Sequence, residues 1–284
     1  MSLSHRNRTL RDLGPRLYPG LVWLAVAFNM FVLAWMAGTS LRGHRDIFAS
    51  PWGLPYSPMW ENFAEAWTNA NFGPAALNTF VLVAAASVFI VLLSAPASFV
   101  LGRNRGRLSS SLTLLFALGI GIPTQVIIIP LFVLMESLAL VNSLFGLFLL
   151  YVAVSLPFTV FLLTGFFSSL PDEIEEAAAI DGASMPRSFW SIMLPLARPG
   201  LITALILNAI TLWNETFLAL IFLQSADKQT LPLALLGFLA KQQYSGADYG
   251  GLFAGVVILV APTLLLYVWL SRRIIEGLTL GAGK

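Results

Sequence analysis

Six long apolar stretches constrain the fold of this chain more than any other feature. Crossing a lipid bilayer takes about 20 consecutive, mainly apolar residues, and each stretch is long enough. Apolar residues make up 57% of the 284 residues and charged residues 11%, whereas soluble domains carry about 25% charged residues. We therefore predict an all-α, polytopic membrane protein with six transmembrane helices. The predicted spans are residues 20–41, 75–101, 112–135, 144–167, 201–223 and 252–271.

The connections between these spans leave no room for a separate soluble domain. The longest are residues 42–74, 168–200 and 224–251, and each is shorter than the roughly 50 residues of a small domain. We expect a single transmembrane domain over residues 1–284.

The basic residues divide unequally between the two sides of the predicted membrane. Cytosolic loops of membrane proteins carry an excess of Lys and Arg. One side holds 12 of the 16 basic residues, and the other holds Arg42, Arg45, Lys228 and Lys241. We expect both termini and the loops 102–111 and 168–200 to be cytosolic in a cell membrane. The 12 are Arg6, Arg8, Arg11, Arg16, Arg103, Arg105, Arg107, Arg187, Arg198, Arg272, Arg273 and Lys284.

The sequence contains no arrangement typical of catalysis or of metal binding. It has no cysteine, and its two histidines, His5 and His44, fall on opposite sides of the predicted membrane. A Gly-rich phosphate loop of the Walker type is also absent. We therefore expect no catalytic residue, metal or nucleotide site in this chain. The net charge of +2 follows from the basic loops and does not indicate nucleic acid.

Polar side chains interrupt the fifth predicted span. Asn208, Thr211 and Glu215 stand at positions i, i+3 and i+7, which share one face of a helix, and Asn214 precedes Glu215. A charge at mid-bilayer costs about 2.5–3.5 kcal/mol on insertion scales. We expect this face to line a translocation path, since amide and carboxyl groups suit a hydroxyl-rich solute. The alternative is a carboxyl group that hydrogen-bonds between helices for packing.

Two prolines are expected to bend the third span. Pro123 and Pro130 each remove a backbone hydrogen bond, and Gln125 lies between them. Gln125 is a further candidate for the translocation path. On the predicted outer side, Trp60, Phe63 and Trp67 recur at helical spacing, which predicts a short helix at the membrane interface.

The most informative segment runs from residue 171 to residue 195. Acidic residues follow Pro171, as expected for the start of a helix. Gly182 can adopt the left-handed conformation that ends a helix, Ser184 is a ready N-cap for a second short helix, and Pro195 is expected to stop it. The predicted structure is two short helices around a glycine turn. The positions that define the motif are Glu176, Ala177, Ala178, Asp181, Gly182, Ile192, Leu194 and Pro195.

This segment resembles the EAA loop of the membrane subunits of type I ATP-binding-cassette (ABC) importers. The similarity extends from about residue 60 to the C-terminus and is greatest to the carbohydrate-uptake branch. The matching segments are Asn78-Thr79, Pro130-Leu131, Pro171, Trp213-Asn214-Glu215, Leu231-Pro232 and Gly277–Ala282.

The resemblance implies a heteromeric importer for a sugar. In such an assembly a homologous second permease subunit completes the pore, and a dimer of ABC ATPase subunits binds ATP and Mg. The eight motif positions would dock in a groove of the ATPase. An extracytoplasmic solute-binding protein would contact the outer 224–251 connection, with a flexible polar tip at Lys241, Gln242, Gln243 and Tyr244.

Two other classes of function remain open from the sequence. One is a proton-coupled secondary carrier that uses Glu215 as a relay, for which the motif around Glu176 has no role. The other is a membrane scaffold or assembly protein, for which a polar face on the fifth span has no role. ATP-dependence of uptake separates the first from an importer, and co-purification of an ATPase separates the second.

Overall fold

The structure, a computed structural model, describes the backbone of residues 4–245 and 248–282 and the side chains of residues 19–242 and 248–268. Within these residues the regular structure is entirely helical, so the predicted all-α class is confirmed. The α-helices are α1 (Ser4–Thr39), α2 (His44–Ala49), α3 (Glu61–Asn69), α4 (Phe72–Arg103), α5 (Arg107–Ile120), α6 (Ile128–Ser137), α7 (Leu144–Ser169), α8 (Asp172–Ile180), α9 (Met185–Ser188), α10 (Leu194–Leu196), α11 (Arg198–Trp213), α12 (Phe217–Phe222), α13 (Leu231–Ser245) and α14 (Tyr249–Ala282).

Four helices of the described chain are long and apolar enough to cross a membrane. They are the Pro19–Thr39 part of α1, all of α4 and α7, and the Tyr249–Val268 part of α14. A fifth span results if the helical run Met185–Leu196 and α11, which meet at an angle of 72°, are counted together. These helices make the chain a multi-pass membrane protein, and the count of six remains a prediction.

The predicted continuous helix over residues 112–135 is wrong. Helix α5 ends at Ile120 and α6 begins at Ile128, so the chain breaks instead of kinking. Pro123 lies in the break and donates no backbone hydrogen bond, and its carbonyl accepts one from Val126 N at 3.0 Å. Pro130 occupies the first turn of α6, where a missing N–H removes no helical bond.

The predicted continuous helix over residues 201–223 is also wrong. Helix α11 ends at Trp213, and the short helix α12 begins at Phe217. The Asn214 and Glu215 side chains explain the break, because each bonds to backbone groups that a continuous helix would use internally.

The chain divides into two compact units. One comprises the residues up to Ala70 with Phe238–Ile258, and the other comprises Asn71–Gly237 with the residues from Leu259 onward. The expectation of a single transmembrane domain therefore stays a prediction.

In the larger unit, α4 and α7 pack against each other along their length. Small residues at the contact let the two backbones approach, as is usual between helices in lipid. Ser98 of α4 is buried and donates a hydrogen bond of 3.0 Å to the carbonyl of Val160 in α7. Apolar side chains on both sides of this contact fill the core, including Ile90, Leu147, Leu150 and Phe222.

In the smaller unit, hydrogen bonds hold α3 to the end of α1. The buried Asn62 side chain donates to the carbonyls of Ser40 and Arg42 at 2.8 and 3.0 Å. The short aromatic helix predicted from residues 60–67 is confirmed as α3, and Trp60 and Trp67 are 68% and 46% exposed.

The 224–251 connection is largely helical, and the predicted polar tip lies within α13 (Leu231–Ser245) instead of in a loop. A 3-10 turn, Ala226–Lys228, precedes α13. Leu231, Leu233 and Leu235 of α13 are buried. Burial of these apolar side chains favours a packed helix over an exposed polar loop. Thr79 Oγ1 accepts from Leu231 N at 2.7 Å, which fixes the start of α13 to α4.

Candidate functional site

The segment with the EAA-like motif folds as two short helices, as predicted. We call residues 172–188, which contain α8 and α9, the α8–α9 hairpin. Pro171 occupies the N-cap position of α8, and Asp172, Glu173 and Glu175 lie in its first turn, where the helix dipole favours acidic side chains.

Gly182 makes the turn between the two helices. Its φ of +76° is in the left-handed region, which non-glycine residues avoid. The N–H of Gly182 donates to the Ala179 carbonyl at 3.0 Å, and the N–H of Ala183 donates to the Ala178 carbonyl at 2.9 Å. This pair of bonds is the Schellman ending of a helix, so the predicted role of Gly182 in the turn is confirmed.

The second half of the motif differs from its prediction. Ser184 occupies the N-cap position of α9, but its side chain makes no capping hydrogen bond. The helical run from Met185 passes through a π-helical turn, Phe189–Met193, into α10 and ends at Leu196, one residue after Pro195.

The motif residues divide between an exposed surface and the core. Glu176, Ala177, Asp181, Gly182 and Pro195 are exposed and Ala178 is buried, while Ile192 and Leu194 pack against a core cluster of α4 and α7 side chains. The first half of the motif therefore presents its polar groups outward, and the second half anchors the segment.

Two exposed apolar residues of the hairpin were missed by the sequence analysis. Ile180 is 86% exposed and Met185 is 54% exposed, on either side of the glycine turn. This exposure leaves both side chains available for a contact with another protein. The signal available in the sequence was the pair of apolar residues flanking Gly182 in an otherwise polar turn.

Arg103 joins the start of α8 to the end of α4. Its Nε lies 2.6 Å from Glu175 Oε2, its Nη2 lies 2.8 Å from Asp172 Oδ1, and its Nη1 donates to the Leu170 carbonyl at 2.9 Å. The Arg103 side chain is 7% exposed. From the sequence alone, Arg103 is only a basic loop residue, because its acidic partners are distant in the sequence.

Glu215 is engaged in hydrogen bonds at the start of α12. One carboxyl oxygen accepts from Leu218 N at 2.7 Å, and the other accepts from Tyr151 Oη at 2.9 Å and from Ala219 N at 3.3 Å. The carboxyl group thus satisfies backbone N–H groups that a helix start leaves unpaired.

The predicted polar face of the fifth span does not form. Asn208 is buried and bonds to Thr159 of α7 at 2.9 Å, whereas Thr211 and Asn214 are exposed. Glu215 lies beyond the end of α11, so it shares no helix face with Asn208. Gln125 is exposed at the break between α5 and α6. The role of all these residues in a translocation path remains a prediction.

The residues predicted to contact a binding protein lie in the last turns of α13. Lys241 is exposed and Gln242 is half-buried, and Gln242 Oε1 accepts from Asp248 N at 3.1 Å. The side chains of Gln243 and Tyr244 lie outside the described residues. Among the described side chains, no group of three His, Cys, Asp or Glu residues is arranged to hold a metal.

Long apolar helices and an exposed helical hairpin that interrupts them are features of a membrane transport subunit. The chain belongs to the family of binding-protein-dependent transport system inner membrane components, whose model matches residues 94–278. It is thus the membrane component of an ABC importer and not the ATP-hydrolysing subunit.

Relatives and a solved structure agree with this family. The chain is 38% identical to the diacetylchitobiose uptake system permease protein NgcG of Streptomyces coelicolor, over 91% of this chain and 86% of the relative. It is 30% identical to the melibiose/raffinose/stachyose import permease protein MelC of Bacillus subtilis, over 87% and 88%. A crystal structure of a bacterial ABC transporter that imports the polysaccharide alginate matches the fold with a TM-score of 0.77 and 20% identity, over 96% of this chain and 98% of that one.

Proposed function

We propose that this chain forms half of the translocation pathway of an ATP-driven importer for an oligosaccharide. The observation that carries the proposal is the α8–α9 hairpin, with its Schellman turn at Gly182 and exposed Ile180, in a chain of this family. Relatives named for the uptake of diacetylchitobiose and of melibiose, raffinose and stachyose support a sugar as the solute.

The hairpin is proposed to dock on an ABC ATPase subunit in the cytosol. A groove on the partner would bury Ile180 and Met185, the exposed apolar residues that flank the turn. Glu176 and Asp181 would lie at the polar rim of this contact. The excess of basic residues on this side of the chain supports a cytosolic hairpin and cytosolic termini.

The proposed assembly contains a homologous second permease, two ATPase subunits that bind ATP and Mg, and an extracytoplasmic solute-binding protein. The exposed polar side chains of Gln125, Thr211 and Asn214 are proposed to face the path, and Glu215 and Asn208 are proposed to border it as hydrogen-bonded groups. Lys241, Gln242, Gln243 and Tyr244 are proposed to contact the binding protein at the end of α13.

The test reconstitutes the purified complex in lipid vesicles with its binding protein outside and ATP with Mg inside. Labelled diacetylchitobiose and raffinose are the first probes. We expect uptake that requires hydrolysable ATP and persists when a protonophore collapses the proton gradient. Uptake that ignores ATP and follows the proton gradient would show a secondary carrier and overturn the proposal.

A single substitution tests the hairpin itself. Ile180→Ser changes an 86% exposed side chain, so it leaves the packing of this chain intact. We expect it to reduce the amount of ATPase subunit that co-purifies with the permease. The control is Leu108→Ser at the start of α5, which is 73% exposed and lies outside the hairpin. Equal co-purification in both variants would contradict docking through the turn.

A further inference from the structure

The Arg103 guanidinium lies where α4 and α7 end and α8 begins. It belongs to the last turn of α4, bonds to the Leu170 carbonyl at the C-cap of α7, and pairs with Asp172 and Glu175 in the first turn of α8. Each of its three nitrogens has its own acceptor. A lysine ammonium is a point charge and cannot reproduce this fork of donors.

A close contact between α4 and α7 delivers Arg103 to this position. A Cβ atom on Gly102 would lie 2.9 Å from the Thr164 carbonyl oxygen and 3.0 Å from Ser168 Oγ, so a side chain there would push the helices apart. The Ser168 hydroxyl donates to the Gly102 carbonyl at 3.0 Å. Glycine at position 102 therefore brings the end of α4 against α7 and places Arg103 beside the α7 carbonyls.

The hairpin has few other attachments at this end. The covalent link from α7 to α8 is only Leu170 and Pro171, whose backbones are extended, with ψ values of 142° and 136°. Ala178 is the buried residue of α8, and Ile174 packs partly against the core. A helix joined to its neighbour by such a link can rotate at the link unless another contact fixes it.

We infer that Arg103 is a positioning residue that fixes the α8–α9 hairpin to α4. A displacement of the hairpin then moves α4 and α7 together instead of bending the chain at Leu170–Pro171. The inference rests on the proposed function, because it assumes that an ATPase subunit moves the hairpin. Movement of α8 then enters the helix core through the Arg103 contact, in addition to the covalent connection of α9 to α10.

The test compares two arginines of the same turn in the reconstituted complex, with diacetylchitobiose as the first transport probe. Arg103 is 7% exposed and bonds to α7 and α8, while Arg105 is 85% exposed and, among the described residues, pairs with Asp172 alone. The measurement is the ratio of solute imported to ATP hydrolysed per assembled complex. We expect Arg103→Met to lower this ratio by about fivefold or more, the low end of the usual coupling between two sites, and Arg105→Met to leave it unchanged.

Exchange of the charges tests the Arg103–Glu175 ion pair by itself. Arg103→Glu combined with Glu175→Arg restores one of the three contacts of Arg103, so it is expected to recover part of the lost ratio, while Arg103→Glu alone recovers none. If Arg103→Met does not assemble, Glu175→Gln takes its place, because it alters neither α4 nor α7. An unchanged ratio in the assembled variant that carries the test overturns the inference.

The two proposals fail in different ways. Wild-type complex that shows no ATP-dependent uptake overturns the proposed function. Wild-type uptake that requires ATP, with an unchanged ratio of import to hydrolysis in Arg103→Met or Glu175→Gln, overturns only the role of Arg103.

Discussion

Tyr151 of α7 donates a hydrogen bond of 2.9 Å to the carboxyl group of Glu215, at the break between α11 and α12. The same carboxyl group accepts hydrogen bonds from the backbone N–H groups of Leu218 and Ala219. One side chain therefore caps α12 and attaches its start to α7. This arrangement gives a structural reason for a carboxyl group within an apolar stretch.

The Tyr151–Glu215 bond predicts a coupled loss of stability. Glu215→Ala is expected to lower the free energy of unfolding by about 1–2 kcal/mol, as for the loss of a helix cap. Tyr151→Phe removes one hydrogen bond and is expected to cost about 1 kcal/mol. Thermal melting of the purified complex measures both variants and the double variant.

Because the two groups bond to each other, the double variant should lose less than the sum, with a coupling of about 0.5 kcal/mol or more. Additive losses of stability in the two single variants would contradict a hydrogen bond between Tyr151 and Glu215. Tyr267→Phe in α14, where the tyrosine is 58% exposed, is the control. Reduced transport at unchanged stability in Glu215→Ala would instead support the path role predicted from the sequence.

A side chain at position 182 is expected to strain the backbone without a steric clash. A Cβ atom at this position would meet nothing within 4 Å, but the φ of +76° remains unfavourable for an L-residue, at about 1–2 kcal/mol. Gly182→Val is therefore expected to insert normally and to lose ATPase docking or transport.

Gly182→Asn is the matched control, because asparagine tolerates the left-handed region and should keep most of the activity. Uptake and membrane abundance are measured for both variants. Normal transport by Gly182→Val at normal abundance would show that the turn has no part in coupling.

The Asn142 side chain is expected to stabilise the connection that precedes α13. Its φ is +54°, its Nδ2 donates to Ser225 Oγ at 2.7 Å, and its Oδ1 accepts from the N–H groups of Gln224 and Ser225, both at 3.1 Å. Asn142→Gly keeps the backbone conformation and loses these bonds, so we expect a loss of about 1–2 kcal/mol.

Asn142→Ala should cost about 1 kcal/mol more than Asn142→Gly, because it adds backbone strain to the lost bonds. Ala139→Gly is the control, since Ala139 has the same φ of +54° and its replacement relieves strain. We would measure thermal unfolding of all three. Equal stability of the glycine and alanine variants at position 142 would contradict backbone strain from the positive φ at this position.

A change at Lys241 is expected to alter the stimulation of ATP hydrolysis by the binding protein. It lies exposed near the end of α13, and Lys241→Glu reverses its charge. We expect normal basal ATP hydrolysis and reduced stimulation by the loaded binding protein, because charge complementarity steers such contacts. Trp60→Ala tests whether the exposed aromatic side chains at α3 form the docking surface for the binding protein instead. Stimulation that is lost only in the Trp60 variant would move the contact to α3.

Much of the protein was predictable from local features of the sequence. The all-α membrane class follows from runs of apolar residues, and α4 and α7 lie where two of the predicted spans do. The hairpin follows from acidic residues at a helix start and from Gly182 at its end. Such features act over a few residues, so a sequence window contains all of the groups that determine them.

The tertiary structure decided which side chains meet. Arg103 and Glu175 are 72 residues apart and Tyr151 and Glu215 are 64 apart, so no local pattern pairs them. The breaks in the third and fifth stretches follow from proline and from backbone groups captured by side chains, and hydropathy does not detect them. The sequence by itself determined the membrane class and the glycine turn of the α8–α9 hairpin. Helix packing decided that Asn208 is buried, that Glu215 caps α12, and that Arg103 pairs with Asp172 and Glu175 of α8, because these outcomes depend on neighbours distant in the chain.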